Sequence, residues 1–154
     1  MNLHTHLALI RFVKKLSTQL NAAYYVHPDI RIVFREADTN DVAGWCLVLY
    51  KRTAMYVGVD IPWNQPYTVA IMNLLTCLLT HEYAHYIWSL KLSPAERVRD
   101  CKRYDSDDQF RRNDEYRTWI HAKKMLKDLG YWKNPAIRKA CLTFTYSSAI
   151  SRVR

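Results

Sequence analysis

The chain is short of the features that mark a fibre, a tether or a disulfide scaffold. It has 3 glycines and 5 prolines in 154 residues, and no stretch is dominated by Gly, Pro, Ser or one charge sign, so no linker, disordered tail or low-complexity segment is expected. No internal repeat is evident. The four cysteines, Cys46, Cys77, Cys101 and Cys141, lie far apart and form no CxxC pair, which argues against a cysteine zinc knuckle or a dense disulfide framework and for free thiols. Near the N-terminus the unbroken apolar run Leu7 to Ile10 stops at Arg11, too short for a signal-peptide core or a membrane span. A cytoplasmic protein with no membrane partner is expected.

What remains is one ordinary domain, long enough to bury a core without covalent or metal staples, so a bound metal is expected to be functional rather than structural. Lys and Arg outnumber Asp and Glu by 23 to 14, a net charge of +9, which favours polyanions or acidic protein surfaces as partners. The excess is spread along the chain, densest at 97–103, 111–117 and 123–139. A solvated basic surface explains it better than a dedicated nucleic-acid site does, and charge alone names no partner.

Hydrophobic period divides the chain. Leu9, Phe12, Val13, Leu16 and Leu20 recur at helical spacing opposite Lys14, Lys15 and Gln19, predicting an amphipathic helix over 3–22. From 30 to 61 the period falls to two: Ile30, Ile32 and Phe34, then Trp45 to Tyr50, then Met55, Val57, Val59 and Ile61 predict a three-stranded sheet, a meander in its second half, ended by Pro62 and Pro66. Residues 67–90 form a run apolar on nearly every side, a buried helix. Ser93, Pro94 and Glu96 have capping-box spacing and start a helix to about Tyr104. Ser106 and Gln109 repeat the signal for a helix over 107–129 that Gly130 stops. Asn134 and Pro135 open a last segment, read as helical, although Thr143 to Tyr146 would also suit a strand. The fold class expected is α+β: an N-terminal helix, a small sheet packed on the buried helix, then C-terminal helices.

Inside the buried helix stands His81-Glu82-Tyr83-Ala84-His85, an HExxH sequence. Residues four apart on a helix lie one above the other, so both imidazoles can reach one ion about 2.0–2.1 Å from each nitrogen. Glu82, about 100° round the helix, flanks such an ion and can act as a base. Chance matches to this pattern are common. Here, however, the two preceding turns are almost wholly apolar, and two histidines and a glutamate buried together without a partner would be costly. Zinc removes that cost.

A third protein ligand is then expected, with one position left open for water. Trp119, Ala122, Leu126 and Leu129 form an apolar stripe whose backward extension lands on Glu115, a core-facing carboxylate that zinc would partner. Asp108, Asp114 and His121 are the alternatives: Asp108 shares the stripe but sits near the helix start, whereas Asp114 and His121 fall on a polar side with Arg117 and Lys124. Cys77, one turn before His81, reads better as a small buried hydrophobe than as a ligand. Tyr104, Tyr116 and Tyr131 each qualify to steady an oxyanion, and the sequence does not choose among them.

With Leu78, Leu79 and Thr80 ahead of HEYAH, and Glu115 followed by Trp119-Ile120-His121-Ala122, the chain resembles minimal zincins of the gluzincin type over residues 30 to 130. ImmA/IrrE-type peptidases are similar in carrying a zinc-binding glutamate on a later helix with aromatic and Ala positions after it, matching Glu115, Trp119 and Ala122. SprT-like proteins look similar through Gly44-Trp45-Cys46, the Tyr116-Arg117-Thr118-Trp119 run and Leu129-Gly130, but use a third histidine where this chain has Asn113, Asp114 and Glu115. The Asn-Glu-x-x-x-Asp pattern of larger gluzincins is absent, since Trp119 stands four residues after Glu115, so no acid behind the ligands is assigned. The resemblance implies a zinc metallopeptidase acting on a protein or peptide, with His81, His85 and Glu115 on the metal and Glu82 as general base. Met55 to Asp60, the last strand before the HExxH helix, is the expected edge strand with whose backbone an extended substrate could pair. The resemblance leaves two rivals: a peptidase of DNA-bound proteins or repressors, and a non-catalytic nucleic-acid or protein-binding module with a vestigial zinc.

Overall fold

A computed structural model describes residues 3–26, 29–36, 43–49, 54–61 and 69–152. In chain order they form α1 (Leu3–Tyr24), β1 (Asp29–Glu36), β2 (Ala43–Leu49), β3 (Ala54–Ile61), α2 (Val69–Ser89), α3 (Pro94–Ser106), α4 (Asp108–Asp128), a 3-10 turn (Tyr131–Lys133) and α5 (Pro135–Arg152). Pro62 and Pro66, expected to end the sheet, lie outside the described residues, as does Tyr50. No described helix is long and apolar enough to cross a membrane.

The expectation of an α+β fold in which a sheet carries the active helix is corrected. Helices account for most described residues, and the described core cluster is helical throughout except for Val26, just past α1. It joins Val13, Leu16 and Leu20 of α1 to Leu79 and Tyr83 of α2, Trp119, Ala122 and Leu126 of α4, and Ile137 and Cys141 of α5. The physical reason lies in α2: a helix apolar on nearly every side must be covered on nearly every side. A sheet of three short strands covers only the side where β2 and β3 approach, and α1, α4 and α5 supply the rest.

Strand order is β1-β3-β2. β2 and β3 are antiparallel, Ala43 opposite Asp60 and Leu49 opposite Ala54, whereas β1 runs parallel to β3, Asp29 opposite Ala54 and Glu36 opposite Ile61. This overturns the reading of Met55 to Asp60 as an edge strand. β3 is central and hydrogen-bonded on both sides, so its backbone has no free donors or acceptors for an extended peptide.

The helix boundaries follow local chemistry. The Ser93 hydroxyl accepts from the Glu96 amide at 3.3 Å while the Glu96 carboxylate accepts from the Ser93 amide at 2.8 Å, a complete capping box that starts α3 at Pro94. The cap of α4 is Asp107, not Ser106: Asp107 Oδ1 accepts from the Phe110 amide at 2.9 Å, and the Ser106 hydroxyl instead donates to the Lys102 carbonyl at 2.7 Å. Asp is at least as good a cap as Ser, and it stands one residue nearer the amides that need an acceptor. Gly130, at φ 81, takes the left-handed conformation that ends α4.

Ala122 has no exposed surface and lies in the core cluster where α4 is seated. Enlarging it by Ala122→Leu is expected to lower stability by about 1–3 kcal/mol through overpacking. Urea unfolding measures this, and an unchanged midpoint would show room that the packing does not have.

Candidate metal centre

Two packed helices build the site. α2 supplies His81 and His85 one turn apart, and α4, which packs along it, brings Glu115 between them. The Nε2 atoms of the two histidines are 3.2 Å apart. Glu115 Oε2 lies 3.0 Å from His81 Nε2, and Glu115 Oε1 lies 3.1 Å from His85 Nε2. Of the three alternatives for the third position, none joins this cluster. Asp108 is exposed and paired with Arg111, His121 is exposed with its ring 6.2 Å from that of Trp88, and Asp114 stands behind His85 at its other nitrogen.

These separations fit a metal ion. Ligand atoms about 2.0–2.1 Å from a tetrahedral ion stand about 3.3–3.4 Å from one another, and the cluster's atoms are already within a few tenths of an ångström of that spacing. Two imidazole lone pairs and a carboxylate converging on one point repel one another unless a proton or a cation lies among them. The donor set of two imidazoles and one carboxylate could hold a divalent metal ion.

Electrostatics set each group apart. The Glu115 carboxyl is held well below the usual carboxylate range: burial opposes this, but the hydrogen bonds it shares with His81 and His85 overcome it. Burial lowers His81, while for His85 the hydrogen bonds to Asp114 and Glu115 outweigh burial and push it up to about 10. Glu82, 6% exposed, is pushed up to about 7, chiefly by burial, with Glu115 adding and His85 opposing. A carboxyl tuned near neutrality is suited to accept and return a proton.

The surroundings hold these groups still. The Tyr104 hydroxyl, at the end of α3, donates to Glu115 Oε1 at 2.5 Å. The Tyr131 hydroxyl, by contrast, donates to Gln19 on α1. His81 stacks on Trp119 with ring centroids 4.1 Å apart, and Trp119 stacks on Phe144 at 4.7 Å. The Cys77 thiol is turned to α5, donating to the Ile137 carbonyl at 3.4 Å, and burial pushes it up to about 12, so it takes no part in the site. Cys77, Cys101 and Cys141 are free thiols.

Two residues of this environment, Asp114 and Tyr104, are candidates in the sequence, but the contacts they make here are not evident from it. Tyr104 had no signal beyond its residue type, because its place depends on how α3 returns to α4. Asp114 did have one: it precedes Glu115, and consecutive helical residues point about 100° apart, so a neighbour of a metal ligand can approach the same histidine from another direction.

No protein-family model matches the sequence, and comparison with curated proteins and with solved structures found no match to either.

Proposed function

We propose that the chain is a zinc-dependent metallopeptidase of the gluzincin type, holding the ion through His81, His85 and Glu115 and hydrolysing peptide bonds with Glu82 as general base. The observation that carries this reading is the convergence of three side chains from two helices, the two His Nε2 atoms 3.2 Å apart and each 3.0–3.1 Å from one oxygen of the Glu115 carboxylate, beside a buried carboxyl raised to about 7. Zinc bound there would acidify a water and polarise the scissile carbonyl. Glu82 takes the proton of the attacking water and returns it to the departing amine. Tyr104, already donating into the site, supplies a hydrogen bond where negative charge develops on the carbonyl oxygen.

Free thiols suit a reducing compartment, and we place the protein in the cytoplasm. The substrate class is a protein or peptide, and the net charge of +9 favours an acidic one.

The direct test is cleavage of an unfolded protein by the zinc-loaded chain, with and without a chelator. Chelation is expected to stop cleavage and added zinc to restore it. Zinc binding without cleavage would favour a binding module with a vestigial site. Tyr104→Phe is expected to retain zinc and lower kcat about 100-fold or more, the cost of removing one oxyanion donor. Steady-state kinetics check this, and an unchanged kcat would remove Tyr104 from the reaction.

A further inference from the structure

We infer that Asp114 is the positioning residue for His85, and that Arg117, stacked on Trp88, holds Asp114 in that role; the inference rests on the metal-binding reading above. His85 Nε2 faces His81 and Glu115, and its Nδ1 faces two other groups, Asp114 Oδ2 at 3.4 Å and Thr118 Oγ1 at 3.3 Å. The Thr118 hydroxyl spends its hydrogen on the Asp114 carbonyl at 2.8 Å, which leaves its oxygen as an acceptor. A carboxylate is an acceptor as well. With two acceptors at Nδ1 the ring keeps a hydrogen there, so Nε2 is the nitrogen that gives up its proton to a metal.

Asp114 is itself held. Its Oδ1 pairs with Arg117 Nη2 one turn further along α4, and the Arg117 guanidinium lies 3.9 Å from the centre of the Trp88 ring. Trp88 is three residues beyond His85 on α2. The contacts therefore close a ring, from His85 to Asp114 to Arg117 to Trp88 and back along α2, that joins the two ligand-bearing helices. Guanidinium suits the middle position because its planar fork can pair with a carboxylate while its face stacks on an indole.

The two histidines are braced differently. His81 Nδ1 is buried without a hydrogen-bond partner, and that ring is fixed by packing against Trp119. The side chain of His85 is 21% exposed, lacks such a sandwich, and depends on the polar brace.

Zinc affinity of the full chain, measured by competition with a chromophoric chelator, tests this together with the visible spectrum of the Co2+ form. Asp114→Ala is expected to weaken zinc binding about 10–100-fold, as loss of a partner behind a ligand does, and to alter the Co2+ bands. Asp128→Asn, which also removes a negative charge but at the far end of α4, is expected to leave both unchanged. The Arg117 variants separate bracing from simple charge. Removing a cation near the metal by Arg117→Ala should tighten zinc binding if only charge matters, and Arg117→Lys should leave it alone. The brace predicts that both weaken it, because ammonium cannot replace the fork. Unfolding of the metal-free variants shows whether each still folds, and the conservative Arg117→Lys keeps the test decisive if Asp114→Ala does not. Wild-type affinity in Asp114→Ala, or tighter binding in Arg117→Ala, overturns the inference and leaves the metal site standing. Absence of zinc binding by the unaltered chain overturns both.

Discussion

Glu82→Gln is expected to lower kcat for peptide hydrolysis by about 100- to 10,000-fold, the range that general-base catalysis contributes, while zinc content stays at that of the unaltered chain. Glutamine has the shape of glutamate but cannot accept the proton. Glu82 is 6% exposed and raised to about 7 by burial, so a neutral amide sits there at no greater desolvation cost than the acid. It also lies outside the group of His81, His85 and Glu115 whose ligand atoms converge. Kinetics and metal analysis on the same sample check both halves. Loss of zinc together with activity would make Glu82 a ligand rather than a base, and retained activity would remove it from the chemistry.

The second large effect is expected from Glu115→Ala. Two imidazoles one turn apart would remain, one ligand short of a catalytic zinc site, and zinc content after dialysis is expected to fall from one per chain to near zero. The same loss should appear in stability. An ion that binds only the folded chain stabilises it by about 2.7 kcal/mol when present at a hundred times its Kd. Zinc should therefore raise the melting temperature of the unaltered chain and leave that of the variant unmoved. The Tyr104 hydroxyl and both histidines lose a shared acceptor in this variant, so the metal-free protein is expected to be less stable as well. A variant that keeps its zinc would show that another group, with Asp114 nearest, completes the site.

Much of this site was legible because it depends on local geometry. The four-residue interval of His81 and His85 fixes both rings on one side of a helix whatever the rest of the chain does. Glu115 could be reached by running the Trp119, Ala122 and Leu126 stripe back one turn, because a helix that buries those residues carries its fourth to the same face. The capping box at Ser93 was readable for the same reason, since all its partners lie within four residues. What could not be read depends on distant partners. β1 pairs in parallel with β3, a register set by chains more than twenty residues apart, and the alternation of Met55 to Ile61 is the same whether that strand lies at the centre or the edge. The balance of sheet and helix in the core is not legible either, because the apolar character of α2 says that it is covered without saying by what. Asp114 looked like part of a solvated polar face with Arg117 and Lys124, and only the crossing of α4 over α2 turns it toward His85 Nδ1. Tyr104 is one of eleven tyrosines, and its selection needs the path of α3.

The central claim is that His81, His85 and Glu115 hold one divalent cation together. Calorimetric titration of the metal-free chain with zinc measures it most directly. One ion is predicted to bind per chain in the unaltered protein, and none at that site after His81→Ala or His85→Ala. No heat of binding from a folded chain, or an unchanged isotherm when either histidine is removed, would contradict the account.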